Sequence, residues 1–318
     1  MTKITKFLLA TALVASTSVL SVAQKILDAK DAVKEMTADE KAKTGWTRVG
    51  GLGASFNALS LINPRAGAGD NSVGFGGLLN YSANLKRGKL LWDNRIGFQL
   101  ASNKIAGNDW AKAADVLQGT SQIGYLISGK WYAAGLADLQ TQILPTYGTN
   151  ALKASVSNLL TGKFFAPATF RLAPGVIYRA NDNFKVLFSP VAYKGIYVLN
   201  DSVAKRGNWL PVGVKTDHQV GAEVRADYTR KFWDGKLVYT GTLDLYTNYR
   251  KNFGNIDVEF YNSLDLTIWK NISINFKTDW FYDDDILVQV KTDAAQKPVY
   301  GKDVFFRNAL FVKYNTIF

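Results

Sequence analysis

The chain contains no cysteine, one histidine and only seven prolines among its 318 residues. The absence of cysteine excludes a disulfide framework and any thiolate metal site. A single histidine leaves few candidates for acid–base catalysis. No apolar run after the N-terminus reaches the roughly 20 residues that a membrane-spanning helix needs. An inner-membrane helical protein is therefore excluded.

The first 23 residues are predicted to be a signal peptide. Lys3 and Lys6 precede an apolar run at 7–14, and the small residues Ser21 and Ala23 fit a cleavage site. The run is too short for a transmembrane helix. We expect an exported protein, either soluble or a membrane β-barrel.

Basic residues exceed acidic ones, and the formal net charge is +12. Nucleic acid and anionic lipid are the two partners that such a charge suggests. The basic residues form no local stripe and no nucleic-acid motif, so we predict outer-membrane lipids and lipopolysaccharide as partners, and no nucleic acid. Each short turn has a lysine in or beside it that either meets lipid phosphates or is simply solvated: Lys86, Lys130, Lys185, Lys231 and Lys270.

Residues 24–46 differ in pattern from the rest of the chain. Ile26, Leu27, Val33 and Met36 stand among charged residues with rough helical spacing. The pattern predicts a short periplasmic N-terminal segment, with a plug in the barrel lumen as the alternative.

From residue 47 to 318 the chain alternates between strands, short turns and longer loops. Asn, Asp and Gly mark five turns, as two-residue hairpins require: Lys86–Gly88, Ser128–Lys130, Asn181–Asn183, Asp234–Gly235 and Lys270–Asn271. Longer polar stretches mark six loops: 62–71, 103–114, 145–166, 200–215, 250–255 and 283–302. Five turns and six loops join twelve strands, which places both termini at the turn end.

The strands alternate apolar and polar residues with a period of two. In the segment 272–280, Ile274 and Phe276 alternate with Asn275 and Lys277. Strands of about ten to fourteen residues suit a tilted membrane crossing better than a soluble β-sandwich, whose strands are usually about five or six residues. The sequence predicts an all-β, up-and-down antiparallel transmembrane barrel with short periplasmic turns and longer extracellular loops. It is predicted to lie in the outer membrane, assembled by the barrel-assembly machinery.

Three features refine the barrel prediction. The chain ends on a strand that closes with Phe318, and glycines in the first strand suggest a seam with it. Pro174 and Pro190 fall inside strands, where we expect bulges because proline cannot donate to the ladder. Aromatic residues near strand ends predict interfacial girdles: Trp131, Trp233, Trp269, Tyr282 and Phe318.

The polar faces place many charges in the predicted lumen. These are Asp93, Arg95, Arg171, Glu223, Arg225, Asp227, Asp244, Asp257, Glu259, Asp265, Lys277, Asp279, Arg307 and Lys313. They either form a structural network of ion pairs or line a polar passage. Twelve strands lie between the filled barrels of about eight and the open pores of about sixteen. The mixed signs favour a plugged or weakly selective interior.

Several segments resemble an outer-membrane β-barrel family of unknown function that is common in Bacteroidota-type bacteria. Residues 63–71 resemble its Asn-Trp-x-x-Gly-Gly motif, although Pro64 replaces the tryptophan and Ala68 splits the glycine pair. Further matches come in order along the chain: Leu91–Asn94, Thr141–Gln142, Ala166–Ala168, Phe188–Pro190, Asn255–Val258 and Tyr282–Ile286. The resemblance implies fold and location, and it supplies no catalytic or ligand residues.

Catalytic and metal sites are weakly indicated. His218 has Ser189 and Ser202 elsewhere in the chain, but no motif joins them into a hydrolase site. Asp283–Asp285 lack the spacing of a calcium loop. We predict no enzyme activity, no catalytic residues, no metal and no cofactor.

Apolar loop residues, among them Leu159 and Phe164, suggest loops that meet a partner or fold into the lumen. The favoured function is a subunit or scaffold of a larger outer-membrane assembly, with other outer-membrane proteins as partners. A passive, porin-like channel for small solutes is the alternative. A lipid-active enzyme is the most distant possibility.

Overall fold

The computed structural model describes residues 44–59, 72–105, 110–148, 159–251, 253–283, 288–292 and 298–317. The predicted signal peptide, nearly all of the predicted segment 24–46, and Phe318 lie outside the described residues. Within these ranges, no helix is long and apolar enough to cross a membrane.

Twelve strands of the described chain form one closed antiparallel barrel, which confirms the predicted fold. They are β1 (Gly45–Leu59), β2 (Ser72–Arg87), β3 (Leu90–Ile105), β4 (Trp110–Ser128), β5 (Trp131–Thr141), β8 (Ala168–Asn181), β9 (Phe184–Tyr197), β10 (Thr216–Phe232), β11 (Leu237–Asn248), β12 (Asp257–Trp269), β13 (Ile272–Tyr282) and β16 (Phe305–Ile317). Two small hairpins lie in the connections: β6 (Thr146–Tyr147) with β7 (Leu160–Gly162), and β14 (Val288–Thr292) with β15 (Pro298–Gly301). Each barrel strand pairs with the barrel strands before and after it in the chain.

The five predicted short turns all join barrel strands at one end, which we call the turn end. Four of the five turns contain residues with the left-handed backbone that tight turns need, with φ of 56° at Gly88 and 54° at Asp234. At another turn, the side chain of Asn181 accepts hydrogen bonds from the backbone N–H groups of Asn183 and Phe184 at 2.9 and 3.0 Å. The local turn chemistry therefore fixes this end of the barrel.

The first and last strands close the barrel. In β1 and β16, Gly51 pairs with Ile317 and Gly53 pairs with Asn315, so glycines line the seam as the sequence predicted. At the start of β1, Gly45 pairs with Lys86 of β2. The start of β1 and the end of β16 therefore both lie at the turn end.

The longer connections lie at the opposite end, the loop end. The loop predicted at 103–114 is mostly strand, because β3 continues to Ile105 and β4 begins at Trp110. Lys112, inside the predicted loop, instead forms a buried ion pair with Asp115 within β4. A four-residue helix, α1 (Asp201–Ala204), lies in the β9–β10 loop.

Both strand prolines lie at irregularities, as predicted. The β8–β9 register shifts between Leu172 and Val176, which brackets Pro174. The β9–β10 register shifts where Gly221 pairs with Ala192 and Glu223 pairs with Ser189, which brackets Pro190. The two bulges face each other across β8 and β9, and the Ser189 hydroxyl donates to the Pro174 carbonyl at 2.7 Å.

The two faces of the barrel have opposite character. Along β13, Asn275 and Asp279 are fully buried, while Phe276 and Trp280 between and beside them are exposed. The same exposure of large apolar residues recurs at Leu79, Ile123 and Phe188 on other strands. The barrel is polar inside and apolar outside, the inverse of a soluble protein.

Candidate functional site

A buried ion-pair network on three strands lies in the loop-end half of the interior. Arg171 of β8 lies between Glu223 of β10 and Asp244 of β11. Its Nη1 donates to Glu223 Oε1 at 3.0 Å and also to Asp244 Oδ2. Glu223 is fully buried, so the charges depend on each other in place of water.

A second layer of charges lies beside this network. Arg225 Nη1 lies 3.4 Å from Asp138 Oδ2, and Arg225 Nε lies 3.6 Å from Asp227 Oδ2. Hydroxyls hold both carboxylates: Thr120 donates to Asp138 at 2.6 Å, and Thr242 donates to Asp227 at 2.5 Å. The contact between Arg225 and Asp138 joins β10 to β5 through the interior, past β8 and β9.

An apolar cluster lies inside the barrel among these charges. Leu136, Ile177 and Leu187 are each only 3% exposed, and they pack with Ala173 and Tyr246. A wide water-filled pore would be lined with polar groups along its length. The cluster and the ion-pair network lie next to each other on β8 and β11, where Ala173 follows Arg171 and Tyr246 follows Asp244 on the same face.

A cavity of about 660 Å³ extends from the apolar cluster to the turn end, where it opens. Its inner part is lined by Leu136, Arg225 and Asp227, and its mouth by Lys86 and the turn residue Asp182. Lys185 also lines it and donates to Gln122 Oε1 at 2.9 Å. This lysine therefore points into the barrel, and the suggestion that it meets lipid phosphates is wrong.

The remaining predicted lumen charges are distributed over the barrel wall. Asp93 and Arg95 line the turn-end cavity, and Lys277 and Asp279 are buried on β13. Glu259 accepts a 2.6 Å hydrogen bond from the Tyr261 hydroxyl, and Asp265 accepts one from Ser273 at 3.3 Å. Asp257 is partly buried near the loop end. The side chains of Arg307 and Lys313 lie outside the described part of the structure, although the backbone of Arg307 pairs with that of Asp279.

The predicted interface aromatics differ in exposure. Trp131, Trp233 and Trp269 are at least half exposed and lie at the turn end. Trp131 packs against Tyr178 with ring centroids 4.9 Å apart and the ring planes tilted by 46°. Tyr282 lies at the loop end of β13 and is partly buried. The assignment of these residues to an interfacial girdle stays a prediction.

At the loop end, the β5–β8 connection is anchored on a single carboxylate. Asp115 accepts hydrogen bonds from the backbone N–H groups of Ile143 and Leu144 at 3.0 and 2.8 Å. Lys112 completes the arrangement by donating to Asp115 at 2.6 Å and to the Leu144 carbonyl at 2.8 Å. The connection also packs on the β9–β10 loop, where Trp209 donates to the Thr161 carbonyl at 3.0 Å.

The exposed helix α1 carries a surface ion pair. Lys215 hydrogen-bonds the Asp201 carboxylate and holds its pKa below the ordinary value. The Asn200 side chain caps the helix by accepting from the Val203 N–H at 3.1 Å. These contacts fix the shape of the β9–β10 loop.

The one histidine is not placed as a catalytic base beside a serine. His218 Nδ1 lies 2.6 Å from the Tyr193 hydroxyl, which lies 2.7 Å from the Tyr197 hydroxyl. Ser189 pairs with Glu223, five residues along β10 from His218, and its hydroxyl bonds the Pro174 carbonyl. Among the described residues, no group of three acidic or histidine side chains could hold a metal ion.

Sequence reasoning missed several interior residues. Asp138 stands in an alternating strand beside Leu136, so its period-two position was an available signal. Lys185 and Arg179 were less visible, because both stand next to a turn and look like solvated turn residues. Nothing local marked Lys112 and Asp115 as an internal pair.

The closed sheet, apolar exterior and charged interior define a transmembrane β-barrel. Residues 56–147 match the model of a family described as a protein of unknown function (DUF3078). No curated protein matches the chain.

Solved structures with the same general fold are distant in sequence. The translocator domain of the autotransporter NalP from Neisseria meningitidis is 11% identical, with 96% of this chain and 99% of that chain covered and a TM-score of 0.39. An outer membrane channel from Pseudomonas putida F1 is 11% identical, with 89% and 99% covered and a TM-score of 0.42. The CymD monoaromatic hydrocarbon channel is 9% identical, with 95% and 99% covered and a TM-score of 0.37.

Proposed function

We propose that the protein is an integral outer-membrane barrel with both termini in the periplasm, acting as a non-enzymatic subunit or scaffold of a larger outer-membrane assembly. The short turns of such barrels lie on the periplasmic side. The start of β1 and the end of β16 both lie at the same end as the turns. The family resemblance suggests a bacterium of the Bacteroidota type.

The proposal rests on the buried groups of the interior, which we infer to obstruct the lumen. Arg171, Glu223 and Asp244 are at most 11% exposed in their side chains, and the apolar cluster around Leu136 lies beside them. Ions crossing this zone would have to break buried pairs, which costs several kcal/mol per ion left unpaired (about 3–5). An occluded barrel is better suited to holding a partner than to passing solutes.

Apolar side chains at the loop end support a partner. Val212 is 73% exposed and Phe253 is 74% exposed, and both lie in connections beyond the barrel strands. Large exposed apolar residues grouped at one end of a protein mark interaction sites more often than inert surface. The non-enzymatic part of the proposal is supported by the His218 ring, whose Nδ1 shares a hydrogen bond with the Tyr193 hydroxyl rather than with a serine.

Planar-bilayer recording of the purified protein tests the occlusion. We expect no stable unitary steps from protein whose folding is verified by heat-modifiable gel mobility. Stable steps whose ion selectivity changes with Arg225→Glu would overturn the proposal and favour the second candidate, a passive small-solute channel. That candidate is supported by the cavity at the turn end, which already extends into the barrel.

Site-specific photo-crosslinking in cells tests the assembly role. A crosslinking residue at Phe253 or Val212 should give discrete adducts with an outer-membrane protein. The matched control is Ser189, which is fully buried inside the barrel and should give none. Absence of adducts from both loop positions would contradict the scaffold role.

A further inference from the structure

We propose that the turn-end cavity is a binding site for a small oxyanion, a phosphate- or carboxylate-bearing solute that enters from the turn side. This goes beyond the scaffold role, and it is independent of whether the barrel conducts. The cavity of about 660 Å³ is of the size that small-molecule sites have, roughly 300–1,000 Å³.

The first observation is the charge of the cavity wall. Eight basic and three acidic side chains line it, an excess of five positive charges. The loop-end half of the interior is different, because there Arg171 is shared by the two acids Glu223 and Asp244. A cleft that is lined mainly by charges of one sign and surrounded by low-dielectric protein concentrates ions of the opposite sign.

The second observation is that the acids of the cavity are already engaged. Asp227 lies 3.6 Å from Arg225 and 3.9 Å from Lys185, and it also accepts from Thr242. Asp93 lies 3.8 Å from Arg179. Asp138, behind the wall, also pairs with Arg225. Even with this fourth carboxylate, the basic side chains of the cavity outnumber the acidic ones.

The third observation is a buried donor without a partner. Arg95 Nε is shielded from solvent and makes no hydrogen bond within the described part of the protein, yet the residue lines the cavity. Leaving such a donor unpaired is costly, and native proteins rarely do so without a reason. A ligand oxygen at this position would satisfy it.

The residue types determine the ligand chemistry. Arg95, Arg179 and Arg225 present planar guanidinium groups, whose paired N–H donors match two oxygens of a phosphate or carboxylate. Lys185 adds a compact cation beside them, and Tyr132 lies under Arg179 with 5.6 Å between guanidinium carbon and ring centre. These groups face the barrel interior, so a soluble anion fits the site better than a membrane lipid.

Isothermal titration of the detergent-solubilised full chain at low ionic strength tests the proposal, with inorganic pyrophosphate and citrate as the two probes. We expect saturable binding of at least one probe, which weakens as salt is added. Tighter binding of pyrophosphate would identify a phosphoryl ligand, and tighter binding of citrate a carboxylate ligand. No saturable binding of either probe would overturn the proposal.

Variants distinguish binding at this cavity from nonspecific attraction of anions to the positively charged protein. Arg95→Gln should weaken binding about tenfold or more, because it removes a charge-assisted hydrogen bond, whereas Arg95→Lys keeps the charge and should lose less. Lys205→Gln removes a cation from the exposed loop at the other end and should bind as wild type does. Equal loss in Arg95→Gln and Lys205→Gln would overturn the site. If Arg95→Gln does not fold by gel mobility, Lys185→Gln takes its place with the same expectation.

Discussion

Arg171 and Glu223 stand 52 positions apart in the chain, and in the barrel the Arg171 guanidinium donates to the Glu223 carboxylate at 3.0 Å. The two residues lie on β8 and β10, which are separated by β9. The contact therefore spans an intervening strand through the interior and does not follow the sheet surface. Asp244, on β11, binds the same guanidinium nitrogen.

The first prediction concerns this network. Arg171→Met should lower the free energy of unfolding by about 3–5 kcal/mol, because it leaves two buried carboxylates without their counter-charge. Urea unfolding of the protein in lipid vesicles, followed by tryptophan fluorescence, measures the change. The control is Arg206→Met, an exposed loop arginine, which should stay within about 0.5 kcal/mol of wild type.

A compensating variant checks the cause of that loss. Adding Glu223→Gln and Asp244→Asn to Arg171→Met removes both orphan charges and should restore part of the stability. Wild-type stability in Arg171→Met alone would mean that the buried pairs contribute nothing.

The second prediction concerns the loop anchor at Asp115. Asp115→Asn keeps the shape but replaces one acceptor oxygen by an N–H₂ group that faces other donors. We expect a loss of about 1–3 kcal/mol locally, seen as roughly 10- to 100-fold faster amide exchange at Ile143 and Leu144. Hydrogen exchange followed by mass spectrometry measures this.

The matched control for the loop anchor is Asp234→Asn. Asp234 is an exposed turn residue with a left-handed backbone, which asparagine also tolerates. Exchange at 143–144 should not change in this variant. Unchanged exchange in Asp115→Asn as well would show that the connection is held by other contacts.

The third prediction concerns close backbone approach at the β9–β10 bulge. A Cβ atom added at Gly221 would lie 1.9 Å from the Thr247 carbonyl oxygen, so backbone would have to move. Gly221→Ala should cost at least about 1–3 kcal/mol and reduce the heat-modifiable, folded fraction on a gel. Gly119→Ala on β4 is the control, since nothing lies within 4 Å of its added Cβ. Equal folding of the two variants would contradict the steric argument.

Local sequence patterns were sufficient to predict the strands, the turns and the two faces of the barrel. Period-two alternation in 272–280 and turn residues such as Gly88 act over two to four neighbouring residues, so they can be recognised without the fold. The strand count came from these local signals, and so did the bulges at Pro174 and Pro190. The even number of strands predicts that the two termini lie at the same end of the barrel.

The contacts between interior groups, in contrast, depend on the folded barrel. Arg171 reaches Asp244, 73 positions away, because the stagger accumulated across β9 and β10 brings both to one level. The bulges change that stagger, and no local pattern gives its size. In the closed barrel, Lys185 also points inward and donates to Gln122. Leu136, Ile177 and Leu187, from three different strands, pack together there as the apolar cluster. A strand's own sequence fixes which side chains face the lumen, while the register between strands fixes their partners.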